Sequence, residues 1–186
     1  MNFEVCGLLN YIYKNMFLKY DIVVGKRSKA IYLMIPKNCL RSVLANFRLG
    51  LSFTNIYFVD MAVIESCYSK INYQKIFFCN YIFYSANWDL RIILVVSTTQ
   101  NNSLCSASEF FFGATWIERE ISEMFGISFK NTVDTRKLML DYTFQGYPLV
   151  RSFAVSGYEE LEYNNVLKWL TYSPLKLFNE RETWIV

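Results

Sequence analysis

At 186 residues the chain has the length of one domain with an appendage and can bury roughly 70% of its unfolded surface, so neither a disulfide nor a metal is needed to hold it together. Its hydrophobic content of 53% and aromatic content of 18% are high for a free monomer, which predicts that partners cover part of the apolar surface. The absence of histidine removes the side chain most used for proton transfer near neutral pH, for activating Ser or Cys, and for binding metals; a net charge of +3 from dispersed Lys and Arg is too mild for nucleic-acid binding through phosphate neutralisation.

Cys6, Cys39, Cys67, Cys79 and Cys105 are scattered, odd in number and never in a C-x-x-C arrangement. They read as buried small hydrophobes, and no metal site, iron-sulfur site or disulfide framework is expected of them. The richest apolar runs, IYLMIP (Ile31 to Pro36) and RIILVV (Arg91 to Val96), have strand length, far short of the roughly 18 apolar residues of a membrane span. With Glu4 and no early basic cluster, the amino terminus is expected to be neither a signal nor a transit peptide, so a chain at work in an organelle is expected to be made there.

In chain order, Leu8, Leu9, Ile12, Tyr13, Met16 and Phe17 keep three- and four-residue spacing and predict an amphipathic helix. IVVGK and AIYLMI predict two strands around a basic turn, Lys26 to Lys29. GKRS in that turn suggests a phosphate loop, but the glycine required five positions before Gly25 is Tyr20, so a hairpin tip is the reading. After Pro36, the spacing of Leu40, Val43, Leu44 and Phe47 predicts a second helix, stopped by Gly50. FTNIYFVDMAVI, KIFFCNYIFYSA and LRIILVVST, rich in β-branched and aromatic residues, predict three strands. This order implies an α+β fold: a two-layer domain over residues 1–150 with helices on one face of a mixed sheet, and an extended C-terminal hairpin and tail over 151–186.

The stretch TWIEREISEMFGISF, Thr115 to Phe129, holds the most chemistry. Thr115 and Glu118 match a T-x-x-E capping box, which predicts a helix starting at Trp116, and Gly126 supplies its stop. At 100° per residue, Ile117, Ile121, Met124 and Phe125 form an apolar face, with Glu118 and Ser122 pointing away. Arg119 and Glu123 are expected to pair along the solvent side for about 0.3 kcal/mol. Glu120 falls on the border of the apolar face, where a carboxylate must find a cation or backbone donors, or remain protonated. It is either a general acid or base, or, as we prefer, a structural anchor paired with Arg136 or Arg151. Glu118 and Glu120 project about 200° apart, so they cannot serve one substrate as paired carboxylates.

EREISEMFGISF, then DTRKLMLDYTFQGYPLVRSF, then SGYEELEYN closely resemble the signature run of the 30-kilodalton subunit of NADH:ubiquinone oxidoreductase, respiratory complex I, a family with both mitochondrially encoded members (NADH dehydrogenase subunit 9) and bacterial ones (the C-subunit). Glu118, Arg119, Glu120, Glu123, Met124, Phe125 and Gly126 occupy the family's E-R-E-x-x-D/E-M/F-F/Y-G helix motif. Gly146, Pro148, Leu149, Arg151 and Phe153 match its G-H-P-L-R-K-D-F element. The resemblance covers about the last half of the chain, from Asp89 onward. Thr132 and Tyr147 stand where the family usually has histidines, and Ser152 where it has aspartate, which suits a contact and packing role for those positions.

The resemblance implies a subunit with no catalytic residue, cofactor or metal of its own, seated in the peripheral arm on the matrix side of the mitochondrial inner membrane. It would brace the large quinone-site subunit of the quinone module, with iron-sulfur clusters, FMN and ubiquinone held by neighbours. Equivalent subunits serve plastoquinone-reducing and hydrogenase-type complexes. The bias toward Phe, Tyr, Ile, Asn and Lys also suggests an AT-rich organellar genome. Beyond Arg151, Leu161 and Tyr163 alternate before Asn164 and Asn165, and Val166 to Tyr172 is apolar, predicting a hairpin with Asn-Asn at its turn that Pro174 brings to an end. Trp169, Phe178 and Trp184 are expected to anchor this tail on the neighbouring quinone-module subunit, the alternative for Phe178 and Trp184 being to fold back on the domain. Gly146, Tyr147 and Pro148 predict a tight turn. The competing readings are a stand-alone enzyme using Glu120 with Tyr147 or Cys105, and an RNA-binding module, which lacks a basic cluster and the RNA-binding signature.

Overall fold

A computed structural model describes residues 23–24, 30–49, 55–66 and 75–175. The amino-terminal helix, the basic turn, Gly50, Phe178 and Trp184 lie outside these residues. The chain divides into two compact units, Met1–Gln145 and Gly146–Val186.

The first unit is built on a five-stranded sheet. Its strands are β1 (Val23–Val24), β2 (Ala30–Ile35), β3 (Ile56–Glu65), β4 (Phe77–Ser85) and β5 (Leu90–Thr98), in the order β1-β2-β5-β4-β3. The sheet is mixed, because β2 and β5 run parallel while the other pairs are antiparallel. Strand β2 leads through a 3-10 turn, Lys37–Cys39, into helix α1, Leu40–Leu49. Leu40, Val43, Leu44 and Phe47 are its buried residues, the four that the spacing selects.

Register explains which face is the core. Leu33, Leu94, Tyr81 and Met61 lie side by side across four strands, and all are buried. Phe47 of α1 meets Phe83 edge-on at 5.2 Å. On the same face, Phe125 of helix α2 (Ala114–Phe125) meets Phe77 at 6.2 Å. Both described helices therefore cover one side of the sheet, as the α+β reading expects, and each fully buried Phe or Leu between them contributes about 1.5–3 kcal/mol.

One irregularity corrects a simple alternation. Phe58 pairs with Phe83, but Asp60 pairs with Ile82, so Val59 is an extra residue in β3. Ile56 faces the core before this bulge and Met61 after it, a change of phase that only an inserted residue permits. Asp60 accepts the Met61 N–H at 2.7 Å beside the bulge. Short parallel strands β6 (Leu104–Cys105) and β7 (Phe129–Lys130) complete the first unit. Among the described residues no helix is long and apolar enough to cross a membrane.

The second unit begins with turns closed by Val150 N–H to Tyr147 O at 3.2 Å and Phe153 N–H to Val150 O at 2.9 Å. Gly146 has φ +103°, and a Cβ there would stand 2.8 Å from the Phe153 ring, which itself packs edge-on against Tyr158 at 5.3 Å. Gly146→Ala is therefore expected to loosen this turn by about 1–3 kcal/mol. Faster proteolysis of the 146–158 segment checks it; an unchanged cleavage rate would contradict it. An antiparallel hairpin follows, β8 (Glu159–Asn164) with β9 (Trp169–Pro174). Asn164 turns it by accepting the N–H groups of Val166 and Leu167 at 2.9 and 3.2 Å, and the strand pairing ends at Pro174, as the sequence implies.

Candidate functional site

Helix α2 carries the acidic motif, and it begins earlier than the capping box implies. Its first residue is Ala114, capped by Gly113 with no side-chain hydrogen bond. Thr115 lies inside the first turn and donates its hydroxyl back to Phe112 O at 2.9 Å, so Glu118 is not the reciprocal member of a cap. The far end is as expected: Gly126, at φ +75°, donates its N–H to Ser122 O at 3.0 Å.

Shifting the helix start does not by itself bury an acid; finding donors does. Glu118, expected to point away from the core, is 1% exposed. Its Oε2 accepts the Ser106 hydroxyl at 2.5 Å and its Oε1 accepts the Ala107 N–H at 2.6 Å. Ser106 Oγ in turn lies 2.5 Å from Ser108 Oγ and accepts the Ser108 N–H at 3.1 Å. The carboxylate thus ties α2 to the segment after β6, inside the core. Burial pushes the Glu118 carboxyl above its usual range, and the Ser106 and Ala107 hydrogen bonds pull it partly back. Nearby, burial alone lifts the Cys79 thiol to about 12.

Glu123 is the second correction. It does not pair with Arg119 in solvent; it is buried and gathers three successive backbone donors, Leu138 N–H at 3.0 Å, Met139 N–H at 2.8 Å and Leu140 N–H at 2.7 Å. Burial works to raise its carboxyl, but the three N–H groups together with Lys137 outweigh it and hold the group below the usual range. Arg119 is used the same way. It donates to the carbonyls of Arg136 at 3.0 Å and Lys137 at 3.4 Å, pairs with Asp134 at 3.4 Å, and lies 5.2 Å from the Trp116 ring. Lys137 then closes its own loop by donating to Phe144 O at 2.7 Å.

These contacts give the irregular segment from Asn131 to Gln145 its shape, since a loop without ladder hydrogen bonds must satisfy its backbone elsewhere. Glu118, Arg119 and Glu123 are all inward anchors. Glu120, expected on the apolar border, is instead exposed, and Arg136 does not pair with it. The Arg136 guanidinium binds Asp134 at 2.7 Å, which holds the Asp134 carboxyl well below the usual carboxylate range. Met124 and Phe125 are half-buried. Gly146, Tyr147, Pro148, Arg151 and Phe153 belong to the second unit, and Trp169 stands on its hairpin with 73% of its surface exposed.

Sequence reasoning missed Ser106, Ala107, Ser108 and Asp134. Their only trace is the small-residue run Ser-Ala-Ser and the two-residue spacing of Asp134 from Arg136. At the proposed enzyme helper Cys105, burial followed by the Glu109 charge raises the thiol, which disfavours a nucleophilic thiolate. Among the described residues no group of three or more Cys, Asp or Glu side chains converges to hold a metal ion.

The family of the respiratory-chain NADH dehydrogenase 30 Kd subunit matches residues 33–159, a span that takes in β3 to β5, the end of β2, the helix motif and its anchors. The chain belongs to this family. Relatives include the NADH-quinone oxidoreductase C-subunit 1 of Rhizobium meliloti (strain 1021), 40% identical over 90 residues, covering 48% of this chain and 45% of the relative. The corresponding C-subunit of Bartonella tribocorum is 39% identical over 107 residues, covering 58% of this chain and 53% of the relative. The matched region thus spans about half the length of these curated relatives. A chain from the structure of the membrane-bound sulfane sulfur reductase, an archaeal respiratory membrane complex, shares the fold with a TM-score of 0.56 at 10% identity, covering 69% of this chain and 72% of that one.

Proposed function

We propose that this chain is a non-catalytic peripheral-arm subunit of a proton-pumping NADH:ubiquinone oxidoreductase. It braces the large quinone-site subunit while electrons pass from NADH to ubiquinone through FMN and iron-sulfur clusters held by neighbouring chains. One observation carries this reading: the acids that make α2 look catalytic are occupied internally, Glu118 by Ser106 and Ala107 and Glu123 by three loop N–H groups. A carboxylate fixed on its own backbone holds architecture and does not face a substrate.

The exposed Trp116 and Glu120 on the opposite side of α2, and the segment 151–186, are the surfaces assigned to neighbouring subunits. The location we assign is the membrane-associated arm on the matrix side of the mitochondrial inner membrane. The mitochondrial placement is supported by the resemblance to mitochondrially encoded members and by the composition; the relatives named above are from Rhizobium and Bartonella. Purification of the tagged full chain from detergent-solubilised membranes is expected to bring down iron-sulfur and quinone-site subunits. The isolated chain is expected to turn over neither NADH nor a quinone. Recovery of the chain alone, or turnover by it, would overturn the proposal.

A further inference from the structure

Strand pairing in the second unit sorts the hairpin into two unlike faces. Leu161 lies opposite Tyr172, and Tyr163 opposite Leu170, so four large apolar side chains share one face. Glu160 opposite Ser173 and Glu162 opposite Thr171 make the other face mainly polar, with Asn164 opposite Trp169 at its turn end, while Glu159 opposite Pro174 borders the apolar face at the open end.

Exposure runs opposite to the usual rule. In a half-buried β-layer the apolar face is covered and the polar face is wet. Here Leu161, Tyr163, Leu170 and Tyr172 are 48%, 58%, 52% and 49% exposed, whereas on the polar face Glu160, Thr171 and Ser173 are half-buried and Glu162 is exposed. A two-stranded hairpin is marginal by itself in water, and one that leaves its apolar face open lacks the layer that would stabilise it.

Charge indicates what that layer is. Tyr158 to Leu175 contains Glu159, Glu160 and Glu162 against Lys168 alone; one positive less three negative gives −2, in a chain whose total is +3. An acidic element is repelled by an anionic lipid surface and attracted by a basic protein rim. We infer that the apolar face of the β8–β9 hairpin is a docking surface for another protein chain, one offering an apolar cleft bordered by lysine or arginine. This rests on the subunit reading and adds which face docks and the chemistry of what it meets.

The test uses the full chain in its membrane complex. Tyr163→Thr with Leu170→Thr removes apolar contact while leaving β-branched residues that suit a strand. The double variant is expected to lower the amount of this chain in the complex on native gels by about tenfold or more, with the unfolding midpoint of the purified chain unchanged. Glu160→Lys with Glu162→Lys leaves the apolar face intact and keeps the test independent of folding. It is expected to release the chain from the complex at lower salt than the wild type. Retention of the double variant at wild-type level, or a charge-reversed pair with unaltered salt sensitivity, would overturn the inference, as would binding of the wild-type chain to phosphatidylserine vesicles through this face. Failure of the subunit reading is distinguishable, because the wild-type chain itself would then be missing from the complex.

Discussion

Glu118→Ala is expected to destabilise the first unit by about 3 kcal/mol, seen as a lower urea midpoint with an unchanged denaturant slope. Two donors, the Ala107 N–H and the Ser106 hydroxyl, lose their acceptor inside the core, each at about 1–3 kcal/mol, and the lost side-chain volume adds a cavity term that partial relaxation offsets. Glu118→Gln keeps the volume but turns an amide N–H₂ toward one donor, so its cost is expected to be nearer 1 kcal/mol. The pH dependence separates the two variants from a generic loss of stability. The folded carboxyl is held up by burial, so the folded chain retains a proton that the unfolded chain has already released. The contribution is full below the unfolded value of about 4.3 and is lost as pH rises through the raised folded value. Glu118→Gln is expected to flatten that decline; a slope equal to the wild type would contradict the assignment.

Glu123→Ala is expected to cost about 2 kcal/mol, less than Glu118→Ala, because the loop it holds is partly exposed and water takes up some of the freed N–H groups. Its pH signature has the opposite sign. Burial raises this carboxyl, but the N–H groups of Met139, Leu138 and Leu140 outweigh it and leave the group lowered. Its stabilisation is therefore present above about pH 4.3 and lost as pH falls through the lowered folded value. Faster amide exchange confined to residues 138–140 in Glu123→Ala is the local signature. Unchanged exchange there would show that the loop is held by other contacts.

The parts of this structure that sequence makes legible are those set by periodicity or by one special residue. The spacing of Leu40, Val43, Leu44 and Phe47 selects the buried side of α1, and Gly126 marks the end of α2 through the one conformation it tolerates best. Asn164 and Pro174 bound the hairpin for equally local reasons. What stays hidden depends on groups distant in sequence. A hydrophobicity count treats every glutamate as solvent-seeking, so it rotates α2 by placing Glu118 outside; the serine and backbone donors that allow its burial lie 12 and 11 residues upstream. The donors for Glu123 lie 15 to 17 residues downstream, in a loop with no periodic pattern. The bulge at Val59 is similarly invisible, since β3 reads as a plain alternating strand until the register of its partner is known. Asp134 lies within local reach of Arg136, two residues away, and as the nearer acid it takes the guanidinium that the helix pattern assigns to Glu120.

The family motif gains a physical meaning from these anchors. Arg119 and Glu123 bind the Asn131 to Gln145 loop to the helix, Glu118 binds the helix to the segment after β6, and Glu120 is left on the surface. Rigidity of that kind is what the proposed bracing role requires.

The most direct test is NADH:quinone electron transfer per assembled complex, measured alongside the amount of complex, in cells carrying Glu118→Ala or Glu123→Ala. If these acids are architecture, the amount of complex falls while turnover per assembled complex stays at the wild-type level. Full assembly with electron transfer abolished would contradict it.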